Sequence, residues 1–533
     1  MKRITAYLLL ALFLPQTPAA AQDPVKNLPD ASRWMDHLTQ ELLPFWDQPS
    51  ALGVPVGSFP SVRCNDGSLV DRSNPCPEVN NPYLMQNDQY VVALSRQVYA
   101  YEVAFHMTGE TRYLGYARAG IQYLLDSAFD HTSGGMFEFK DLDSGLWQPA
   151  APYRDPQQLA YGLVGMAFYY YLTRDPATLD EIDAVRNYIR TSYWNRSLGC
   201  LQFLLQDTAD TKAVNRQLVA TLDQLNTHMA MIGRFVPGDR GVEWRGSACD
   251  YAHSIITEFY VPSQNLFFLS ANQPADLDLS QSATDFGHNA KAMWMILMAG
   301  RACGDSGLVS FAKEHAPGIL DRAWPEQQGT WSGNIGPSGI GPTIDWWMHA
   351  ELDQLSGTLA LTDPSFAARL SRSYDYWFKY FVDHTYGEVW TTVDTTTSLS
   401  TNAMPKEWPW KNGYHSFEHA LVGYITTAAL KDNSVPLYFA FEERPAPDQI
   451  QPYFFSGDVQ SYEDIAGGAE PVQRVTFSNV NIDFTGTPLM PPCADAETPA
   501  QQSGDCRPPR TPTIRSSPPV EAPPPHFVAM PRR

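Results

Sequence analysis

The chain has 533 residues, enough for one large domain or two to three ordinary ones, and 44% of them are hydrophobic, including 14 tryptophans. This composition is typical of a globular protein with a substantial core. The formal net charge of −21 argues against nucleic acid or an anionic membrane surface as the main partner, because both are themselves negatively charged.

The first residues have the pattern of a secretory signal peptide, residues 1–21. Lys2 and Arg3 precede a short apolar run at residues 7–14, and three alanines end at Ala21. We expect cleavage after Ala21 and a protein that is periplasmic or secreted. The alternative is an uncleaved N-terminal membrane anchor. No stretch reaches the roughly 18 apolar residues of a membrane span, so we expect none in the mature chain.

Seven cysteines, an odd number, occur in a chain with an export signal, and an oxidising compartment permits disulfides. Cys64 and Cys76 bracket a turn-rich loop, and Cys493 and Cys506 bracket a short stretch near the C-terminus. We predict these two local pairs. Neither a CxxC pair nor an HExxH motif occurs, which argues against a cysteine zinc site or a metalloprotease. We expect no metal and no other cofactor.

Residues 22–440 are predominantly helical in pattern, and a recurring feature divides them into units. Helical runs end in aromatic residues beside Asp, Asn or Pro, as in Phe45-Trp46-Asp47, and a short turn containing glycine usually follows. Successive copies lie 58 to 83 residues apart. A unit of that size is a helical hairpin with its loops, and about six of them predict an all-α fold, an (α/α)6 barrel. An open helical array is the alternative, because spacing does not show closure.

The character of the chain changes after the helical region. Residues 441–484 form a C-terminal extension in which alternation over 472–484 predicts one or two strands. Residues 485–533 are rich in proline and poor in apolar residues, which predicts a disordered tail.

The stretch from Lys406 to His419 combines aromatic, cationic and titratable residues. Pro409 and Gly413 keep its first part out of regular helix, and helical spacing begins after Ser416. We therefore expect a loop that enters a helix, which is suited to binding a sugar between aromatic walls. The alternative is an aromatic loop that closes the end of a helical fold.

Several short motifs occur in a fixed order. They are Arg96, Asn226-Thr227-His228, Gly287-His288, Trp346-Trp347-x-x-Ala350-Glu351 and Trp410-Lys411-x-x-Tyr414-His415. Over about residues 35–435 the set resembles the N-acylglucosamine 2-epimerase superfamily, which includes cellobiose 2-epimerases and aldose–ketose isomerases. The family fold is an (α/α)6 barrel with its active site at one mouth.

The resemblance implies sugar chemistry without a metal. The general acid/base histidines of the family fall on His288 and His415, and imidazole can both take and return the proton beside a sugar carbonyl. Arg96 would stabilise the ene-diolate oxygens. The positions that would hold the sugar are Asn226, Trp346 or Trp347, Glu351, Trp410 and Tyr414. The adjacent tryptophans point apart, so at most one should face a ligand, and Glu351 could equally be a buried structural partner.

The chain departs from the family pattern at three places. The family has a second His where Ala230 stands, a Glu where Lys291 stands and usually an Arg where Glu418 stands. The last two changes are opposite in sign, which predicts an ion pair between Lys291 and Glu418. His228 or His349 could substitute for the missing histidine.

We therefore expect an exported epimerase or isomerase that acts on an aldose, a ketose or a short oligosaccharide. One alternative is a glycoside hydrolase or lyase on the same toroid, with carboxylates drawn from Asp285, Asp345, Glu351 and Glu418. Another is a sugar-binding relative that has lost catalysis.

Overall fold

Two layers of helices make up most of the fold. The computed structural model describes residues 23–148, 154–205, 216–270, 273, 276–401, 404–466 and 471–482. In chain order, the main helices of these ranges are α1 (Ala31–Asp36, continuing through a π-helical His37–Leu42 into Leu43–Trp46), α2 (Val91–Thr108), α3 (Thr111–Ser127), α4 (Pro156–Thr173), α5 (Pro176–Tyr193), α6 (Leu218–Gln224, continuing through a π-helical Leu225–Met229 into Ala230–Ile232), α7 (Gly238–Phe259), α8 (Phe286–Cys303), α9 (Ser306–Ala323), α10 (Trp346–Ala360), α11 (Leu370–Tyr376, continuing into a π-helical Trp377–Phe381) and α12 (Tyr414–Leu430). Short helical turns lie at Pro49–Leu52, Pro364–Ala368 and Pro447–Gln449.

The even-numbered helices form the inner layer and the odd-numbered helices the outer one. The side chains of the inner helices are almost all buried, whereas each outer helix exposes one face. A helix that is apolar all round is stable only when it is covered on all sides. Each inner helix packs against the next, and α12 packs against α2. The ring is closed, so the predicted (α/α)6 barrel is confirmed.

Short β-ribbons stand at the end of the barrel where the inner helices begin. Strands β1 (Asp88–Tyr90), β10 (Thr284–Asp285) and β13 (Thr343–Asp345) lead directly into α2, α8 and α10. Each pairs antiparallel with one hairpin, respectively β4 (Phe139–Asp141) and β5 (Leu146–Gln148), β11 (Asn334–Gly336) and β12 (Gly339–Ile340), and β14 (Thr392–Asp394) and β15 (Leu399–Thr401). Two-stranded ribbons are β2 (Phe129–Asp130) with β3 (Gly135–Met136), β6 (Trp194–Asn195) with β7 (Cys200–Leu201), and β8 (Tyr260–Val261) with β9 (Leu266–Phe267).

A three-stranded antiparallel sheet covers the opposite end. Its strand order is β16 (Val435–Phe439), β18 (Gln473–Asn481), β17 (Ser456–Asp464). The sheet lies at the C-terminal ends of two inner helices, because the amide of Ala440 donates to the carbonyl of Leu172 in α4 and β16 packs against α2. The predicted β-containing extension is thus present, although its first strand begins before residue 441.

Two disulfides occur in the described part of the chain. One joins Cys64 and Cys76, the pair that the sequence predicts. The other joins Cys249 of α7 to Cys303 at the end of α8, which the sequence analysis did not predict. Cys200 is a buried free thiol.

Three of the sequence predictions lie outside the described residues: the signal peptide, the proline-rich tail and the pair of Cys493 with Cys506. Among the residues described, none of the helices has the length and apolar character needed to cross a membrane.

Gly165 marks the tightest contact between α2 and α4. A Cβ atom there would lie 2.7 Å from the carbonyl oxygen of Ser95 and from the side chain of Val98. We expect Gly165→Ala to lower the free energy of unfolding by about 1–2 kcal/mol, because overpacking outweighs the gain in helix propensity. Urea denaturation measures this change.

The matched control is Gly115→Ala on the exposed face of α3, where a Cβ atom would meet nothing within 4 Å. It should leave stability unchanged or raise it by up to about 1 kcal/mol. Equal effects of the two substitutions would contradict the tight packing of α2 on α4.

Candidate active site

The first two to three turns of all six inner helices converge at the mouth that carries the ribbons. They bring together Arg96 of α2, Tyr161 of α4, Asn226 of α6, His288 and Lys291 of α8, Trp347 and Glu351 of α10, and His415 and Glu418 of α12. The predicted residues therefore come from one end of the barrel, although they span more than 300 positions of the sequence.

Trp347 lies between the two histidines. Its ring centroid is 4.6 Å from that of His288 and 6.2 Å from that of His415. Gly287 permits this approach, because a Cβ atom at that position would lie 2.6 Å from the Trp347 ring. Trp347 is half-buried, whereas Trp346 is 4% exposed and packs under the ammonium group of Lys411 at 5.1 Å. Trp347 is therefore the member of the pair that can face a ligand.

His288 is oriented by a residue from the start of its own helix. Asp285 caps α8 by accepting a hydrogen bond from the amide of His288 at 2.6 Å, and its other oxygen accepts from Nδ1 of the same residue at 2.8 Å. This leaves Nε2 as the ring nitrogen that can meet a ligand. Burial lowers the pKa of His288, but the charge and the hydrogen bond of Asp285 outweigh it, so the pKa lies above 6.5.

His415 has the opposite electrostatic environment. Burial holds its pKa well below 6.5, and the positive charges of Lys291 and Arg96 add to this effect. Its Nδ1 atom is 3.7 Å from Glu351 and 3.7 Å from Glu418. The pKa values of the two histidines are therefore shifted in opposite directions.

The two carboxylates beside His415 are almost fully buried. Glu351 accepts a hydrogen bond from Nε1 of Trp294 at 2.7 Å, and Glu418 accepts from the hydroxyl of Tyr453 at 2.7 Å. Burial raises the pKa of both groups, and the charge of Glu418 raises that of Glu351 further. Both carboxyl groups therefore keep their protons to higher pH than an exposed glutamate does.

One ligand atom from each of Glu351, His415 and Glu418 lies within 4.8 Å of the others, the arrangement that could hold a cation. The positive charges of Lys291 and Arg96 act on the same place. The charge of Arg96 would oppose the binding of a divalent ion there by repulsion.

Arg96 joins α2 to the loop before α12. Its guanidinium carbon stacks 3.6 Å above the ring of Tyr161, and Nη1 donates to the carbonyl of Trp410 at 3.0 Å. Trp410 is half-buried and therefore accessible to a ligand. Arg96 thus fixes one aromatic wall of the site.

The predicted ion pair between Lys291 and Glu418 is wrong. Lys291 donates to Asp223 of α6 at 2.6 Å and to the hydroxyl of Tyr161 at 2.8 Å. Burial opposes the charge of Lys291, but Asp223 and Tyr161 raise its pKa above the ordinary value. The carboxylate of the neighbouring inner helix neutralises Lys291, and Glu418 instead bonds with Tyr453.

Asn226 and Tyr414 are fully buried and bond with each other. Nδ2 of Asn226 donates to the hydroxyl of Tyr414 at 3.0 Å, inside the ring of helices. Asn226 belongs to the π-helical segment of α6, a local widening that is frequent at functional sites. Their contact with a sugar remains a prediction.

His228 and His349 do not take the place of the histidine that Ala230 replaces. His228 packs edge-on against Trp244 of the outer helix α7. His349 belongs to a separate buried cluster, in which its Nδ1 is 3.2 Å from Asp353 and in which His419 bonds with the same carboxylate.

Buried ion pairs hold the loop that precedes α12. Three pairs anchor it in the described structure: Lys406 with Asp383, Glu407 with Arg63, and Lys411 with Glu388. Glu388 also accepts from Nε1 of Trp46 at 2.6 Å. These contacts fix the loop that presents Trp410 and His415.

Asp285 and Asp223 are among the site residues whose roles the sequence analysis did not identify. Asp285 stands three residues before His288, the spacing of a helix cap, so its capping role was accessible from sequence. Asp223 carries no local signal, because its partner is 68 positions away.

The pair of Lys411 with Glu388 generates a stability prediction. Both side chains are fully buried, so Glu388→Gln would leave a buried ammonium group without a counter-ion. We expect the free energy of unfolding, measured by urea denaturation, to fall by about 3–5 kcal/mol. As a control, Glu326→Gln removes an exposed pair with Arg372 and should leave stability unchanged. A Glu388→Gln variant as stable as the wild type would contradict the anchoring role.

The contact between Asp285 and His288 predicts a change in the pKa of His288 when Asp285 is replaced. Because Asp285 raises the pKa of His288, Asp285→Asn should lower that pKa while still capping α8. NMR titration of the histidine signals measures this pKa. The signal of His288 is the one that disappears in His288→Asn. Asp305→Asn is the matched control, because Asp305 caps α9 and bonds with His253 at 2.8 Å. An unchanged titration of His288 in Asp285→Asn would disprove the coupling.

The sequence matches a known protein family. The model of the N-acylglucosamine 2-epimerase (GlcNAc 2-epimerase) family matches residues 80–418. The cellobiose 2-epimerase of Bacteroides fragilis is 21% identical over 328 residues, which cover 59% of this chain and 78% of that relative.

Solved structures share the fold. The cellobiose 2-epimerase from Bacillus thermoamylovorans superposes with a TM-score of 0.61 at 17% identity, covering 74% of this chain and 98% of that one. A D-mannose isomerase superposes with a TM-score of 0.59 at 17% identity, with the same coverage of 74% and 98%. The family match spans most of the chain, and the chain belongs to the N-acylglucosamine 2-epimerase family of sugar epimerases and isomerases.

Proposed function

We propose that this enzyme moves the proton at C2 of a sugar through an ene-diolate, with His288 and His415 as the acid/base pair. The observation that carries the proposal is the placement of both imidazoles against Trp347, with pKa values shifted in opposite directions. One protonated and one neutral imidazole are what reversible proton transfer needs.

The imidazole rings of His288 and His415 have different roles in the proposed reaction. Protonated His288 donates its Nε2 proton to the ring oxygen as the bond between C1 and that oxygen breaks, and the anomeric hydroxyl releases its proton to solvent, which leaves the open-chain sugar with a free carbonyl. Neutral His415 takes the proton from C2, and the electron pair moves onto the carbonyl oxygen to form the ene-diolate. The charge of Arg96 stabilises the oxygens of this intermediate.

Return of the proton determines the product. A proton delivered to the opposite face of C2 gives the epimer, whereas a proton delivered to C1 gives the ketose. Both outcomes conserve the atoms of the sugar, and neither consumes a co-reactant.

The proposed substrate is an aldose, a ketose or a short oligosaccharide with a free reducing end. The half-buried rings of Trp347 and Trp410 can stack on sugar rings. The names of the relatives, cellobiose 2-epimerase and D-mannose isomerase, refer to sugars of this kind.

We also propose that the protein is periplasmic or secreted. The signal-like N-terminus supports export, and so do the two disulfides, because disulfides persist in oxidising compartments.

The carboxylates support proton transfer better than glycoside hydrolysis. Hydrolysis needs two carboxylates across the sugar. Here Glu351 and Glu418 lie together beside His415, Asp285 bonds with His288, and Asp345 accepts from Thr392 at 2.6 Å.

Solvent exchange tests the proposal. Wild-type enzyme in D2O should incorporate deuterium at C2 of glucose, mannose or cellobiose, as detected by NMR. His288→Asn and His415→Asn should each lower the exchange rate by about 10²–10⁴-fold.

His253→Asn is the matched control for exchange, because His253 is an exposed histidine of α7. It should retain the wild-type rate. Full exchange in His288→Asn would refute the two-histidine mechanism, and cleavage of cellobiose without exchange would refute the epimerase class.

A further inference from the structure

A segment beyond the family match reaches the centre of the barrel. The match ends at residue 418, whereas Tyr453 and Phe454 contact α2, α4, α8 and α12 from inside the ring. Each of these two side chains is 1% exposed. A segment that touches four inner helices lies on the barrel axis, below the histidines.

The hydroxyl of Tyr453 bonds directly with a site carboxylate. It donates to Glu418 at 2.7 Å and lies 2.7 Å from the hydroxyl of Tyr99. A phenol has one proton to donate, so with Glu418 ionised the hydrogen bond between the tyrosines is donated by Tyr99.

Phe454 supports Glu351 indirectly, through Trp294. Its ring packs edge-on against Trp294, with centroids 5.1 Å apart. Trp294 donates its Nε1 proton to Glu351 at 2.7 Å. Tyr453 thus contacts Glu418 directly, and the adjacent Phe454 packs against Trp294, the hydrogen-bond donor of Glu351.

The backbone of Tyr453 adopts a strained conformation. Its φ of 57° lies in the left-handed region, which aromatic residues rarely adopt. The hydroxyl of Tyr171 accepts a hydrogen bond from the amide of Tyr453 at 2.8 Å. The surrounding bonds hold a conformation that the local sequence does not favour.

We propose that Tyr453 is a positioning residue for the reaction proposed above, and that it holds ionised Glu418 beside His415. The proposal rests on the two-histidine function. An ionised carboxylate near Nδ1 stabilises the imidazolium that forms when His415 takes the C2 proton. The donated hydrogen bond favours ionised Glu418, and in its absence Glu418 would take up a proton at higher pH.

Several other titratable and charged groups surround Glu418. The titratable and charged side chains that face it are Lys291 of α8, Glu351 of α10, Tyr99 of α2, Tyr414 and His415 of α12, and Tyr453 itself. Tyr453 is the member of this set that comes from the C-terminal extension.

The test is Tyr453→Phe, which keeps the ring and removes the hydroxyl. We expect kcat for C2 exchange to fall roughly tenfold to hundredfold with KM changed by less than about twofold. The acid limb of the pH profile of kcat should move to higher pH, because Glu418 then protonates more easily.

Two conservative variants serve as controls. Tyr99→Phe removes the hydroxyl that bonds with Tyr453 but retains the hydrogen bond between Tyr453 and Glu418. Tyr462→Phe alters a tyrosine of β17 that stacks under Arg444 at 3.8 Å, away from the site. Neither should move the acid limb as far as Tyr453→Phe does.

A readout independent of activity separates this inference from the proposed function. Infrared difference spectra against pH follow the carboxyl band that Glu418→Gln removes, and its midpoint should move to higher pH in Tyr453→Phe. A moved midpoint in an enzyme that exchanges no sugar proton would refute the proposed function and support the contact. An unmoved midpoint and an unmoved acid limb, even with lower melting temperature, would overturn the positioning role.

Discussion

The site depends on a set of buried ion pairs in a loop that has no regular secondary structure of its own. The loop before α12 presents Trp410 and His415, and an irregular segment lacks the repeated hydrogen bonds that fix a helix or a strand. The charges of Lys406, Glu407 and Lys411 fix the loop instead, by pairing with Arg63 and with two residues of the turn at Asp383 and Glu388. Such pairs gain little net stability, but they specify one position of the loop, because any other would leave a charge buried and unpaired.

The same principle applies to the charged residues Lys291 and Glu418 of the site. Lys291 brings a positive charge into the interior, and Asp223 on the adjacent helix neutralises it. Asp285, which immediately precedes α8, orients His288 through a hydrogen bond. Glu418 obtains its donor from Tyr453 of the C-terminal extension. Each exchanged residue therefore has a local partner, and the two histidines keep a common neighbour in Trp347.

Much of the fold could be predicted from sequence, because helical periodicity and the repeated hairpin ends are local signals. The pairing of His288 with His415 in one site was implied by the resemblance to the family. The partner of Lys291 could not be predicted. Opposite charge made Glu418 a reasonable partner, but the choice between two buried carboxylates depends on which faces of neighbouring helices meet. Tyr453 was equally inaccessible, because its segment has neither a motif nor a regular period.

The contact between α1 and α12 has a consequence for the order in which the protein takes shape. Trp34 of α1 lies so close to Gly423 of α12 that a Cβ atom there would be 2.4 Å from its ring. Lys431, just after α12, pairs with Asp30, just before α1. Helix α1 thus cannot fully cover Trp34 until α12 has been synthesised. A nascent chain shorter than about 430 residues has an unfinished ring and an incomplete site.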